Sequence, residues 1–191
     1  MEAFLVSAGI VALAEFGDKT QLLALVLAAR FRRTWPVIAG IFVATLLNHG
    51  LAGAVGASLT ILLGPETLRW LVAIAFFAMA AWVMVPERED GKEIKAPRLG
   101  VFGTTVVAFF LAEMGDKTQL ATVALVMQFE VFVPVIMGTT LGMMIANVPA
   151  VLVGDRVAQR LPLQLMRFLA AMLFAALAVL AITGAGERLG L

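Results

Sequence analysis

The sequence predicts an all-α membrane protein of six transmembrane helices, arranged as two inverted three-helix repeats. Three observations predict it. The apolar residues fall in long runs. A nine-residue stretch recurs 98 residues further on. Lys and Arg gather in alternate connecting segments. Composition agrees: of 191 residues, 62% are hydrophobic and 14% charged, where a soluble domain carries about 25% charged. Mean hydropathy is +1.00.

The spans are expected at roughly 2–30, 35–58, 66–85, 99–129, 132–154 and 163–183. About 20 residues cross the hydrocarbon, so the first and fourth are too long for a straight crossing. Each must tilt, break or protrude, and each holds a charged cluster near its middle. The longest connection, Pro86 to Arg98, has eight charged residues that cancel to zero. The expected organisation is therefore a first repeat over 1–86, a cytoplasmic linker over 87–98 and a second, inverted repeat over 99–191. The N-terminus is not read as a signal peptide, because it has no basic leader and Glu15 and Asp18 interrupt its apolar run.

Orientation follows from the basic residues. With the N-terminus outside, the cytoplasmic segments hold Arg30, Arg32, Arg33, Arg88, Lys92, Lys95, Arg98, Arg156, Arg160 and Arg167, while Arg69 and Arg188 lie outside. Both termini are thus expected outside the cytoplasm. Trp35, Trp70 and Trp82 fall near span ends, as an aromatic belt does. Asp155 beside Arg156 reads as interfacial. With no cysteine, disulfides, thiolate metal sites and thiol catalysis are excluded. A net charge of +1 gives no polyanion-binding signal, and no nucleic-acid motif is present.

Residues 14–22, AEFGDKTQL, return as AEMGDKTQL at 112–120, with eight of nine identical. The same offset pairs Val37 with Val135, Ile38 with Ile136, Gly40 with Gly138 and Gly56 with Gly154. Three spans per half is an odd number, so the second half enters the membrane upside down. Inverted repeats of this kind place a substrate site at the midplane, between the halves. The second span has Gly40, Ala44, Asn48, Ala52 and Gly56 on one face, and the fifth has Gly138, Gly142, Ala146, Ala150 and Gly154. Such stripes let helices approach closely.

Each motif brings Glu, Gly, Asp, Lys, Thr and Gln together. On a continuous helix Glu15 and Asp18 share a face, as do Glu113 and Asp116. The alternative is that Gly17 and Gly115 let the backbone unwind. A charge at the bilayer centre costs roughly 2.5–3.5 kcal/mol on insertion scales, so these groups face an interior or a wet cavity. A structural reading pairs Glu15 with Lys19 and Glu113 with Lys117 at i, i+4. A functional reading counts charge: four carboxylates and two lysines sum to −2, which one divalent cation neutralises. Carboxylate, amide and hydroxyl oxygens suit hard ions such as Ca²⁺ or Mn²⁺. Crowded like charges favour protonation when the cation is absent, so exchange of protons for metal is expected.

The EFGDKTQ and EMGDKTQ stretches resemble the E-x-G-D-[KR]-[ST] signature of the calcium:cation antiporter-2 family. That family holds the Golgi manganese/calcium transporters, chloroplast members and MneA-type bacterial manganese exporters. The resemblance implies transport of Mn²⁺ and/or Ca²⁺ against protons, with Glu15, Asp18, Glu113 and Asp116 as the acidic residues. No resident cofactor is expected, only the transported ion, and the short chain is similar to bacterial members, which implies export across the inner membrane.

The expected metal-binding residues are Glu15, Asp18, Gln21, Asn48, Glu113, Asp116, Gln119 and Asn147, supported by Gly17, Lys19, Thr20, Gly115, Lys117 and Thr118. Asn48 and Asn147 are read either as ligands or as interhelical hydrogen-bond donors, and Thr20 and Thr118 as ligands or partners of local groups. His49, the single histidine, is read as a proton carrier or a packed residue. The expected partners are the ion, protons and the lipid bilayer; a homodimer is permitted but not specified. Rival readings are an exporter of a small organic solute, a channel, and an intramembrane aspartyl protease built on Asp18 and Asp116.

Overall fold

The structure, a computed structural model, describes residues 1–85, 99–153 and 163–183. The charged linker at 87–98, Gly154, the Asp155–Arg156 pair, Arg160 and Arg188 lie outside the described residues. Those described form helices α1 (Glu2–Glu15), α2 (Lys19–Phe31), α3 (Thr34–Leu62), α4 (Pro65–Val83), α5 (Gly100–Glu113), α6 (Lys117–Phe129), α7 (Phe132–Val153) and α8 (Leu163–Thr183). The order repeats in register. Helices beginning at Glu2, Lys19, Thr34 and Pro65 have counterparts beginning at Gly100, Lys117, Phe132 and Leu163, each 98 residues later.

Four helices are long and apolar enough to cross a membrane: α3, α4, α7 over Phe132–Leu152 and α8 over Gln164–Thr183. Large side chains such as Phe42, Leu47, Leu51 and Val55 of α3 and Ile74 and Phe77 of α4 remain exposed, as lipid-facing residues do and a soluble surface rarely does. The segments expected as the long first and fourth spans are each divided in two. Helices of 14 and 13 residues reach only about 20 Å apiece, and the break between them falls inside the charged motif.

Local signals explain the boundaries. Asp18 caps α2, its Oδ1 accepting from the Lys19 N–H at 2.6 Å, as N-cap carboxylates do. Pro65 opens α4, where its missing N–H costs no helical bond. Helices α2 and α6 both end in a left-handed residue, Arg32 at φ 50° and Glu130 at φ 53°, whose N–H returns to the carbonyls of Ala28 and Val126. That conformation is uncommon without glycine.

The packing of α1, α2, α5 and α6 against α3 and α7 is reciprocal between the halves, whereas α4 packs on α6 and α8 on α1 without counterparts among the described residues. Helix α1 runs along α7 while α5 runs along α3, and α2 meets α7 while α6 meets α3. Helices α3 and α7 also touch each other, as do α4 and α8. Phe76 and Phe174, counterparts 98 residues apart and fully buried, stack with centroids 6.1 Å apart. Contact between equivalent residues is the mark of a two-fold interface, here within one chain.

The small-residue stripes make the closest crossings. A Cβ at Gly138 would lie 2.4 Å from the Phe4 carbonyl oxygen, and at Gly142 2.5 Å from that of Ala8. In the other half, one at Gly40 would meet Thr105 Cβ at 2.6 Å. Backbone cannot yield as a side chain does, so Gly142→Ala is expected to destabilise by about 1–3 kcal/mol. Gly50→Ala, where an added Cβ meets nothing within 4 Å, should be neutral or gain up to about 1 kcal/mol. Thermal unfolding of the purified protein in detergent checks the contrast.

Candidate metal centre

Both motifs fold as the same turn. Phe16 adopts φ −62°, ψ 121° and Gly17 φ 76°, and the Asp18 N–H returns to the Glu15 carbonyl at 3.1 Å. Met114, Gly115 and Asp116 repeat this with φ −65°, ψ 119°, φ 78° and 3.1 Å. This is a type II β-turn, which needs φ > 0 at its third residue and hence glycine. Glu closes one helix, glycine turns the chain, and Asp opens the next.

The break changes the ion pairing. Glu15 and Lys19 now belong to different helices, so the i, i+4 pairs of a continuous helix do not form. Instead Lys19 Nζ donates to Asp116 Oδ1 at 2.9 Å and Lys117 Nζ donates to Asp18 Oδ2. Each motif thus supplies the cation for the other motif's aspartate. Asp18, Asp116 and Lys117 are buried, and Lys19 is partly exposed.

The glutamates sit deeper, both fully buried. Each takes one local hydrogen bond: Thr20 Oγ1 donates to Glu15 Oε2 at 2.8 Å, and Thr118 Oγ1 to Glu113 Oε2 at 3.0 Å. Their other oxygens, Glu15 Oε1 and Glu113 Oε1, are buried without a partner, as is Asp116 Oδ2. A buried polar oxygen left unpaired costs about 1–3 kcal/mol and more when charged. Glu15, Glu113 and Asp116 each offer a carboxylate oxygen, and the three atoms lie within 4.8 Å of one another. Oxygen donors converging from two helix breaks are of the kind that suits a hard cation.

The amides divide into two roles. Gln21 Oε1 accepts from the Gly17 N–H at 3.0 Å, and Gln119 Oε1 from the Gly115 N–H at 2.8 Å. Both glutamines therefore brace their own turns. Their amide groups then tie the halves: Gln21 Nε2 donates to the Ala146 carbonyl at 2.9 Å, and Gln119 Nε2 to Asn48 Oδ1 at 2.8 Å. Asn48 Nδ2 reaches the Phe110 carbonyl at 3.0 Å. Asn147 Nδ2 donates to the Met143 carbonyl at 3.0 Å, while its Oδ1 is buried and unpartnered. His49, at the position equivalent to Asn147, is fully buried with both ring nitrogens unpartnered.

One contact was not readable from the motifs. Arg167 of α8, which counts in the sequence only as an orienting charge, donates from Nη2 to the Gly17 carbonyl at 3.3 Å. Nothing in local spacing signals a partner 150 residues away.

Breaking one partner of a buried pair strands the other charge, at about 3–5 kcal/mol. Asp18→Asn and Lys117→Gln should each destabilise by that order, and the double variant should lose clearly less than the sum. Unfolding of the four proteins in detergent measures the coupling.

The profile of the family described as "Divalent cation/proton antiporter GDT1" matches residues 3–91 and again 101–188. The chain is 47% identical over 180 residues to a Vibrio cholerae serotype O1 protein named "Putative manganese exporter", covering 94% of this chain and 90% of that one. It is 29% identical over 205 residues to a "GDT1-like protein" of Synechocystis, covering 94% and 96%. No solved structure matches the chain. Two profile matches, one on each half and each spanning its charged turn, show that the chain belongs to the divalent cation/proton antiporter GDT1 family.

Proposed function

We propose that the protein exports Mn²⁺ from the cytoplasm in exchange for protons, with Ca²⁺ as a second cargo. The observation that carries this reading is the convergence of Glu15, Glu113 and Asp116, each with an unpartnered buried oxygen, within 4.8 Å. Family membership supports divalent cation and proton as substrates, and the named Vibrio relative supports manganese.

In this reading the cation binds between the two turns. Glu15, Glu113 and Asp116 supply charge, and Asn147 supplies a neutral oxygen. Asp18 completes the acidic set once Lys117 yields. Gln21, Gln119 and Asn48 hold the turns and add oxygen ligands as the site closes. The two lysines keep the aspartates neutralised when no ion is present, so the formal charge left by four carboxylates and two ammoniums is −2, matching one dication. Protons on the glutamates fill the same role on the return half of the cycle.

The transmembrane arrangement proposed is six spans, with α1–α2 and α5–α6 as broken crossings and the second half inverted. Reciprocal packing and the 98-residue register of the helix starts support it. Discontinuous helices meeting at a repeat interface are a recurrent transporter plan. The Lys/Arg distribution supports both termini outside the cytoplasm and residence in a bacterial inner membrane, with lipid against the exposed apolar faces. The protease alternative finds little support, because Asp18 and Asp116 are each bonded to a lysine rather than sharing a proton with each other.

In proteoliposomes with an imposed proton gradient, Mn²⁺ flux should exceed that of Mg²⁺ and collapse when the gradient is removed. Glu15→Gln and Glu113→Gln should each lower it by at least about tenfold. Flux indifferent to the gradient would sink proton coupling. Absence of any divalent flux by folded protein would point to an organic cargo.

A further inference from the structure

The two halves share one turn but not one surrounding. Arg167, near the start of α8, donates to the Gly17 carbonyl at 3.3 Å. Its counterpart 98 residues earlier is Arg69, near the start of α4. Among the described residues Arg69 makes no such bond to Gly115; its Nη2 lies 3.8 Å from Glu66 Oε1, on its own helix. The turns differ accordingly. Phe16 and Gly17 are half-buried, whereas Met114 and Gly115 are exposed. Arg69 and Glu66 help to line a cavity of about 880 Å³, with Leu68, Val72 and Glu130. It opens where α1 and α4 begin and α6 and α8 end.

We propose that Arg167 and Arg69 are alternating latches: each closes one side of the site by donating to the glycine carbonyl of the other half's turn, and the structure stands with Arg167 engaged and Arg69 released. This rests on the antiporter reading, since a carrier must close one side before opening the other. Three observations carry it. The two arginines occupy equivalent positions, and the helices they belong to pack unequally on the other half, α4 on α6 and α8 on α1 rather than α4 on α5 and α8 on α2. One is bonded across the halves and the other is not. The released one borders the cavity, which lies at the ends of α1 and α6 away from the turns.

The chemistry suits a gate. A guanidinium on the Gly17 carbonyl is a fixed positive charge one residue from Asp18. There it repels a dication arriving from that side. The latches are also unequally held. Glu66 faces Arg69 one turn along α4, while the equivalent position in α8 is Gln164, a neutral residue. Glu66 therefore retains Arg69 in its released position, and nothing equivalent on α8 competes for Arg167. The resting balance favours the state in which Arg167 is engaged.

The chain has no cysteine, so single reporters are clean. Val72 and Ala170 are both buried, at 2% and 0% exposure, and of the two Val72 alone borders the cavity, so Val72→Cys and Ala170→Cys report which side opens. Their modification rates by a membrane-impermeant maleimide are measured in right-side-out and inside-out vesicles. Arg167→Ala should slow the Val72→Cys reaction and speed the Ala170→Cys reaction, by about tenfold for loss of a charged hydrogen bond. Arg69→Ala should move both rates the opposite way. Glu66→Gln, an exposed change that spares the fold, should act in the same direction as Arg167→Ala, by up to about fivefold. Opposite shifts from the two arginines establish the latches. Equal shifts, no shift, or Glu66→Gln acting in the reverse sense overturns them. If Arg167→Ala does not fold, the sign of the Glu66→Gln effect decides. No step reads metal flux, so failure here is distinct from failure of the transport reading.

Discussion

The crossed pairing of Asp18 with Lys117 and Asp116 with Lys19 is the constraint on which the remaining structure depends. Placing carboxylates and ammoniums deep in an apolar bundle is costly unless each charge meets its opposite. Here no half can meet that requirement alone. The lysine of one turn neutralises the aspartate of the other, so the two motifs must be adjacent for either to be tolerated. The close α1–α7 and α3–α5 crossings, made by glycine stripes without Cβ atoms, bring the turns to that distance. Packing and charge thus enforce a single arrangement.

With the aspartates and lysines satisfying one another, the glutamates become the adjustable part of the centre. Each has one oxygen held by a threonine five residues on and one left open. A fully satisfied network would be rigid and indifferent to ions. A fully open one would not survive burial. The observed division, with turns braced by glutamines and one oxygen of each glutamate buried without a partner, keeps geometry firm while leaving carboxylate oxygens uncommitted.

Much of this was legible in the sequence. The doubled AE-x-GDKTQL stretch disclosed the duplication, and the apolar runs disclosed α3, α4, α7 and α8 nearly as they stand. The acidic residues were identified because charge in an apolar run needs a reason. The break itself was only half legible: two helical spacings and an unwound glycine were equally compatible with the letters. A sharper reading was available, since glycine followed directly by an aspartate is the pattern of a left-handed turn leading into an N-cap. The crossed ion pairs were not legible, because i, i+4 spacing offered each lysine a nearer glutamate and only the break removes it. The glutamines were expected to face the ion; that their oxygens accept from Gly17 and Gly115 was not legible, since the contact is decided by the turn. Arg167 was invisible for a simpler reason: its partner is a backbone carbonyl, which has no letter.

The left-handed caps at Arg32 and Glu130 carry a broader consequence. The two residues hold the same backbone conformation at equivalent places, yet bear opposite charges. Neighbouring positions diverge in the same way, Arg30 and Arg33 in one half against Gln128 and Val131 in the other. The shape of the loop is therefore indifferent to its charge. Fold and loop charge are written in separate alphabets: the repeated glycines, aspartates and lysines specify the architecture twice over, while the surface residues of the loops differ freely between the copies. Such a chain could reverse its direction of insertion by drift at its loops alone, without touching the machinery within.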